Sequence, residues 1–183
     1  AERPLAVTRA DFLISGFALR RQDGTWLETD KWFACFRPEQ NRMRTRIDGV
    51  PIQKYTALRF RIGVDATTDK SNPNQFPAEH PLNPIVNGLH WGWQSGYVFL
   101  ALEGHWTKPD GAAGGFSYHL AGPQNLLNIE LPGEIDLAKC GTIQIGFDVA
   151  KALGKIDLVK TGDTTHSRDQ DPRAAVVREQ VVP

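Results

Sequence analysis

The chain has 183 residues with 21 basic and 21 acidic side chains, so it carries no net charge for electrostatic binding to nucleic acid. No apolar run approaches the roughly eighteen residues that a membrane span requires. Apolar residues make up 40% of the chain, and 17 glycines and 12 prolines indicate many turns, so we expect one all-β domain over residues 1–183.

The beginning of the chain predicts a β-hairpin followed by a short strand. Residues 8–20 contain an apolar run, and Asp23-Gly24 then provides a strong turn signal before a return strand. Residues 31–36, with the sequence KWFACF, form a short aromatic run. This run would place Cys35 in or beside a buried strand.

A further strand and a long loop come next. Residues 37–46 are polar and basic, and we interpret them as a solvated loop or helical turn. Residues 55–64 alternate apolar and polar side chains, which predicts a half-buried antiparallel strand. Residues 65–84 contain four prolines and show no periodicity, which argues against regular secondary structure. Long loops in compact domains tend to be functional, so this one could form a lid or supply a ligand such as His80.

The stretch 82–104 concentrates aromatic side chains. Five of them fall within ten residues: His90, Trp91, Trp93, Tyr97 and Phe99. In one extended strand, Trp91 and Trp93 would share a face, and Gly92 removes the side chain between the two indoles. Because paired tryptophans are an unusual core filling, we weigh a metal or redox site against a buried aromatic strand.

The second half of the chain predicts three more strands and little helix. Residues 116–120, 125–131 and 141–149 read as short strands, with clear alternation in the first and last. Residues 148–159 allow a turn or two of helix, and a short helix is expected around Pro172 to Arg178. Together these elements predict an antiparallel β-sandwich or flattened barrel with long loops.

The chain has two cysteines, Cys35 and Cys140, which lie far apart in the sequence. Two free thiols and one bridge are both compatible with this count. An even number of cysteines in a chain rich in tryptophan and glycine fits an exported protein, so we expect a Cys35–Cys140 disulfide. The opening residues do not form a signal peptide, which is consistent with a mature or trimmed start.

Several enzyme classes lack their signature motifs in this sequence. It contains no GxSxG, GxxxxGK[ST] or HExxH motif, and no GxGxxG that follows a strand. Glu103 lies inside the apolar run VFLALEG and is the carboxylate best placed for burial. It could act as a catalytic base, although such a residue more commonly forms a salt bridge or a cap.

The inventory of metal ligands is dominated by nitrogen. Only Met43 carries a thioether, and a disulfide would remove both thiolates. The remaining candidates are five scattered histidines: His80, His90, His105, His119 and His166. Sites made of histidine suit copper, zinc or nickel, and this one would have to be assembled by the fold. His166 lies in a loop rich in Thr, Ser and Asp, whose polar groups could orient its ring.

Six segments of the chain, taken together, point to one known family: DFLISGFAL followed by DG, then FRIGVDA, PLNP, HWGWQSGYVFLALEG, FSYHLAG and THSRDQDP. This set resembles the MbnP-like family of secreted copper-binding proteins, which is related to the CorA and MopE proteins. The likeness runs from about Thr8 to Val182, with a shortened opening strand, and WGWxxGYxFLxLEG is its most specific part. The resemblance implies a β-sandwich located in the periplasm or outside the cell.

The resemblance also implies copper bound by histidine nitrogen together with kynurenine, which a partner dihaem peroxidase of the MauG type forms from tryptophan. Carried over to this chain, the modified residue is Trp91 or Trp93 and the downstream ligand is His166. In related proteins a histidine lies two positions after the modified tryptophan, but here that position, counted from Trp91, is Trp93. The substitutes considered are His90, His80 and His119.

Three hypotheses follow from the sequence. The first is a periplasmic or secreted, non-catalytic copper-binding protein that serves copper storage, delivery or sensing. The second is a small-molecule enzyme that uses His90 or Glu103 as acid or base beneath the long loop. The third is an interaction module whose exposed aromatic side chains bind a partner surface or a carbohydrate. The sequence leaves the oligomeric state open.

Overall fold

The computed structural model describes residues 5–29, 31–92, 96–154, 156–167 and 171–182. The described strands are β1 (Leu5–Arg21), β2 (Trp26–Glu28), β3 (Phe33–Phe36), β4 (Lys54–Ile62), β5 (His90–Trp91), β6 (Gly96–Thr107), β7 (Ala113–Ala121), β8 (Leu127–Asp136) and β9 (Thr164–Thr165). The described helices are α1 (Ala66–Asp69), α2 (Pro84–Asn87), α3 (Val149–Leu153), α4 (Leu158–Thr161) and α5 (Pro172–Val181).

The strands form one sheet whose main path runs β8-β4-β1-β6-β7-β9. The long strand β1 is its centre, because it also pairs with β2 and β3. The pairings on the main path are antiparallel except for β7 with the short β9. The path is open, and 41% of the residues lie in strands against 21% in helices. The predicted all-β, sandwich-like class is therefore confirmed.

Successive side chains of β1 and β6 are buried on opposite faces of the sheet. Phe12 of β1 and Leu100 of β6 belong to one apolar cluster, on which α3 and α5 pack. Leu13 of β1 and Phe99 of β6 belong to a second cluster on the other face. This is the burial expected of central strands covered on both sides.

The long loop predicted at residues 65–84 covers the second of these faces. Leu82, near the end of this loop, and Leu89, which follows it, are buried against the apolar side chains of β6. The loop is more ordered than its prolines suggested, because it contains α1 and a 3-10 turn at Pro73–Gln75, and α2 begins at its last residue. Pro73 and Pro84 occupy first helical turns, where a missing backbone N–H costs nothing.

The N-terminal hairpin and the terminal helix are confirmed. β1 and β2 are antiparallel, and Gly24 in the turn adopts a positive φ of 86°. The helix α5 begins at Pro172, and the side chain of Asp171 caps its N-terminus by accepting a hydrogen bond from the N–H of Arg173. Within the described residues, no helix has the length and apolar character needed to cross a bilayer.

Two local predictions were wrong. The aromatic stretch is not one strand, because β5 and β6 form an antiparallel pair in which His90 faces Tyr97 and Trp91 faces Gly96. Residues 141–147 do not form a strand either. Apolar side chains of this segment pack on the sheet although its backbone does not pair with a strand. The ring of Phe147, for example, meets the ring of Phe12 edge-on at 4.6 Å between centroids.

The solvated character predicted for residues 37–46 holds for most of them but not for Arg37. Its side chain is only 15% exposed, and its Nε lies 3.2 Å from Oδ2 of the buried Asp11. Its Nη1 lies 3.5 Å from the carbonyl oxygen of Val86. Arg37 therefore joins β1 to the segment that leads into β5.

The expected disulfide is absent, and this prediction was wrong. Cys35 is buried in β3, whereas Cys140 is exposed after β8, and both thiols are free. Cys35 belongs to the apolar cluster shared with Leu13, so its sulfur lies in the interior. The Cys140 Sγ lies 3.1 Å from the carbonyl oxygen of Thr142, within its own turn.

The two thiols are expected to react at very different rates. Burial raises the pKa of Cys35 to about 11, so the native protein holds little of its reactive thiolate. A chromogenic thiol reagent should titrate one cysteine in the native protein and two after unfolding in denaturant. The variant Cys140→Ser should remove the native signal, and a native titration of zero thiols would instead indicate a bridge.

Candidate metal centre

Two cross-strand rows of side chains define a polar patch on the sheet face that the long loop covers. In the first row, Arg9 of β1 lies opposite Glu103 of β6, which lies opposite Ser117 of β7. In the second row, Ala101 separates Asp11 from His119. Side chains two residues apart on a strand share a face, so all of these groups point to the same side. Their neighbours Phe116, Tyr118 and Leu120 point into the opposite cluster.

His119 is held by a carboxylate on the neighbouring strand. Its Nε2 lies 2.7 Å from Oε1 of Glu103 and 3.3 Å from the hydroxyl oxygen of Ser117. The same Glu103 oxygen accepts a hydrogen bond from Nη1 of Arg9 at 2.7 Å. The His119 side chain is 14% exposed, so it lies at the rim of the covered face.

His166 reaches the same place from the end of the chain. Its Nδ1 lies 3.3 Å from Nδ1 of His119, and the two ring centroids are 5.2 Å apart. The next residue fixes this approach: the hydroxyl of Ser167 donates to the carbonyl oxygen of His119 at 2.6 Å and accepts from the N–H of Ala121 at 3.0 Å. Thr165 adds a hydrogen bond to the carboxylate of Asp171 at 2.5 Å.

Trp91 completes the group from the β5–β6 hairpin. Its ring centroid lies 5.9 Å from that of His119 and 5.9 Å from that of His166. The indole packs partly against the second apolar cluster and is intermediate in exposure. The structure thus brings one tryptophan and two histidines together from three distant parts of the chain.

The electrostatic environment favours a neutral His119 beside an ionised Glu103. Burial lowers the pKa of His119, and it outweighs the opposing effect of the Glu103 carboxylate. Burial tends to raise the pKa of Glu103, but the hydrogen bond from His119 and the charge of Arg9 hold it below its usual value. A neutral imidazole has the lone pair that a metal ion requires.

The other predicted ligands lie in different surroundings. The His90 ring meets the Tyr97 ring edge-on at 4.8 Å between centroids. The His80 ring stacks on Phe76 at 4.7 Å, and its Nδ1 accepts a hydrogen bond from the N–H of Leu82. His105 is exposed in β6. Trp93 lies outside the described residues.

The distance between the Nδ1 atoms of His119 and His166 is short enough for both to bind one metal ion. Imidazole nitrogens bind transition metals at about 2.0–2.1 Å, so two nitrogens up to about 4 Å apart can share one ion. The 3.3 Å between the Nδ1 atoms falls inside this limit. Among the residues that the structure describes, no group of three His, Cys, Asp or Glu side chains converges as a metal site. The donors that fit are therefore two imidazoles, with an indole beside them.

Sequence reasoning named His119 only as a substitute ligand and did not single out Arg9. The alternation in FSYHL does place His119 on the polar face with Ser117. What the sequence did not supply is the register of β7 on β6, which brings Glu103 within hydrogen-bond distance.

These features describe an open, sandwich-like β protein with a candidate nitrogen-donor metal site. The MbnP family model matches residues 2–167, and the chain belongs to the MbnP family. Among solved structures, the chain is similar to MbnP from Methylosinus trichosporium, with a TM-score of 0.55 and 17% identity. The match covers 93% of this chain and 75% of the other, and at this identity it supports the fold alone. Curated protein sequences gave no match.

Membership of this family has a functional implication. It suggests a methanobactin-related protein associated with copper. MbnP is not a known enzyme family. In the structure, Glu103 contacts Arg9 and His119, whereas the ring of His90 contacts Tyr97, so the two side chains named in the enzyme hypothesis have different partners.

Proposed function

We propose that this chain is a periplasmic or secreted, non-catalytic copper-binding protein, and that its single domain spans residues 1–183. His119 and His166 would hold the ion through their Nδ1 atoms. Kynurenine formed from Trp91 would add a third nitrogen. The observation that supports this proposal is the 3.3 Å approach of the two Nδ1 atoms beside the Trp91 ring.

The ligand chemistry explains why the tryptophan would have to be oxidised. An indole offers an N–H donor but no lone pair in the ring plane. Oxidation by two equivalents of hydrogen peroxide inserts two oxygen atoms across the indole double bond, giving N-formylkynurenine and two waters. Hydrolysis then releases formate and leaves kynurenine with a free aryl amine. A partner dihaem peroxidase of the MauG type would catalyse the oxidation.

The position of Trp91 suits both oxidation by a partner protein and binding of a metal ion beside the two histidines. Its ring is only partly buried, so an oxidising partner can approach one side while the histidines contact the other. Trp93 is the alternative site of oxidation, since it follows Trp91 by two residues. Copper storage, delivery and sensing are all compatible with a site at the rim of the sheet.

Mass spectrometry of protein isolated from its native host tests the oxidation. We expect a gain of about 4 Da, the difference between tryptophan and kynurenine, on Trp91 in the fragmented peptide. The variant Trp91→Phe should lack the gain and bind copper at least about 10-fold more weakly, as expected when one donor is lost. The matched variant Trp93→Phe should keep both properties. A gain found on Trp93 alone, or on neither residue, would contradict the assignment.

A further inference from the structure

We propose that Glu103 is a positioning residue that fixes which ring nitrogen of His119 faces His166. This inference deepens the proposed function and rests on it, because His119 is one of the proposed copper ligands. Its geometric basis lies in the strand register and in the hydrogen bonds of one carboxylate oxygen.

The Glu103 carboxylate determines the proton position on His119. A carboxylate can only accept hydrogen bonds, so the Nε2 that lies 2.7 Å from Oε1 must carry the proton. The Nδ1 of a neutral ring then has the lone pair, and this atom is the one that faces His166. The Ser117 hydroxyl, at 3.3 Å from Nε2, can either donate or accept and so does not make this choice.

Glu103 is itself held in place by Arg9. The two residues lie directly opposite each other on β1 and β6, and Nη1 of Arg9 lies 2.7 Å from the same Oε1 that accepts from His119. Arg9 also contacts Oδ2 of the fully buried Asp11 through its Nε at 2.7 Å. The guanidinium therefore has little freedom to turn away from the carboxylate.

The guanidinium of Arg9 also contacts the segment that leads to Trp91. Nη2 of Arg9 donates to the carbonyl oxygen of Gly88 at 3.2 Å, three residues before Trp91. Arg9 thus connects the carboxylate that orients His119 to the segment that carries the indole. A metal ligand whose second ring nitrogen is bound to a carboxylate is a common arrangement, because it fixes ring orientation and tautomer.

A plainer interpretation is that Glu103 and Arg9 form a salt bridge that only stabilises the sheet. Both side chains are partly exposed, at 30% and 24%, and exposed pairs of this kind contribute little to stability. The two interpretations differ in one measurable property. A structural salt bridge has no effect on the tautomer of His119, whereas a positioning carboxylate determines it.

The test measures the tautomer of His119 in metal-free protein with unmodified tryptophan. Long-range proton–nitrogen correlation spectra of 15N-histidine-labelled protein, recorded where the imidazole is neutral, distinguish Nε2–H from Nδ1–H. We expect the Nε2–H form in the unmodified chain and in Glu103→Gln, whose amide oxygen can still accept. Glu103→Ala should give averaged signals from both forms. Ser117→Ala is the matched control and should leave the Nε2–H form unchanged.

A second readout is copper affinity in the oxidised protein. Loss of such a hydrogen bond to a ligand costs about 10- to 100-fold in metal affinity, which we expect for Glu103→Ala, with recovery to within a few-fold in Glu103→Gln. Glu103→Met preserves the side-chain length without an acceptor and replaces the alanine variant if that one does not fold.

The outcomes separate this inference from the proposed function. An Nε2–H tautomer that persists in both Glu103→Ala and Glu103→Met would overturn the positioning role. A tautomer that responds as expected in a protein that never binds copper would leave the role of Glu103 intact and overturn the copper proposal instead.

Discussion

Copper affinity is expected to fall by at least about 100-fold, or about 2.7 kcal/mol, when His166 is replaced by alanine in the oxidised protein. The reason is that His166 would supply one of two imidazole nitrogens, and its Nδ1 lies 3.3 Å from the Nδ1 of His119. The variant His119→Ala should show a loss of similar size. Competition titration against a chelator of known copper affinity measures both.

The controls for this experiment are histidines in other surroundings. His90→Ala removes an imidazole next to Trp91 in sequence, but its ring packs on Tyr97. His80→Ala removes one that stacks on Phe76. Both variants should bind copper within a few-fold of the unmodified chain. If His90→Ala loses copper while His166→Ala retains it, the proposed ligand set is wrong.

The second large effect concerns Gly104, which lies next to Glu103 in β6. A Cβ atom at this position would lie 2.0 Å from the backbone oxygen of Ala6 and 2.6 Å from the ring of Phe116. Because the Ala6 oxygen belongs to backbone that pairs with β6 and the Phe116 ring is buried, neither can move aside freely, and Gly104→Ala should lower the free energy of unfolding by about 3 kcal/mol. Urea denaturation followed by circular dichroism measures this change.

Gly115 on the adjacent strand provides the matched control. It is exposed, and an added Cβ would meet only the Gly104 carbonyl oxygen at an ordinary 3.8 Å. Gly115→Ala should therefore change the free energy of unfolding by no more than about 0.5 kcal/mol. Equal destabilisation by the two substitutions would show that close packing at Gly104 is not the cause.

The sequence predicted the class of fold well because the relevant signals are local. The alternation in residues 55–64 matches β4, in which Leu58 and Ile62 are buried while Arg61 is exposed. The turn at Asp23-Gly24 likewise needs only its own residues and the short strands beside it. Period and turn chemistry are properties of a few consecutive residues, so they can be read without knowledge of the partners.

The errors share a different physical origin. Residues 141–149 have the alternation of a strand, but a strand also needs a free edge with which to pair, and that edge is not encoded locally. The disulfide prediction used the number of cysteines and not their positions, which place one thiol inside and the other outside. The aromatic stretch was interpreted as one strand, although its two parts, β5 and β6, are antiparallel partners.

The candidate site could be predicted only in part for the same reason. The resemblance carried over Trp91 or Trp93 and His166 as expected site residues, and His119 was one of three substitutes. Its place beside Glu103 follows from pairings between β1, β6 and β7, which bring Arg9, Glu103 and His119 together across three strands. Such register is a long-range property, and single residues give no direct sign of it.

The short strand β9 has a consequence for how an ion could leave the site. β9 pairs in parallel with β7 at the end of the described sheet path, and the His166 segment continues directly from it. If the tail moved outward to release an ion, the backbone groups of β7 that pair with β9 would be exposed. Exposed strand edges promote aggregation. Release of a proposed copper ion past Trp91 would avoid this exposure, because the tail could then stay paired with β7.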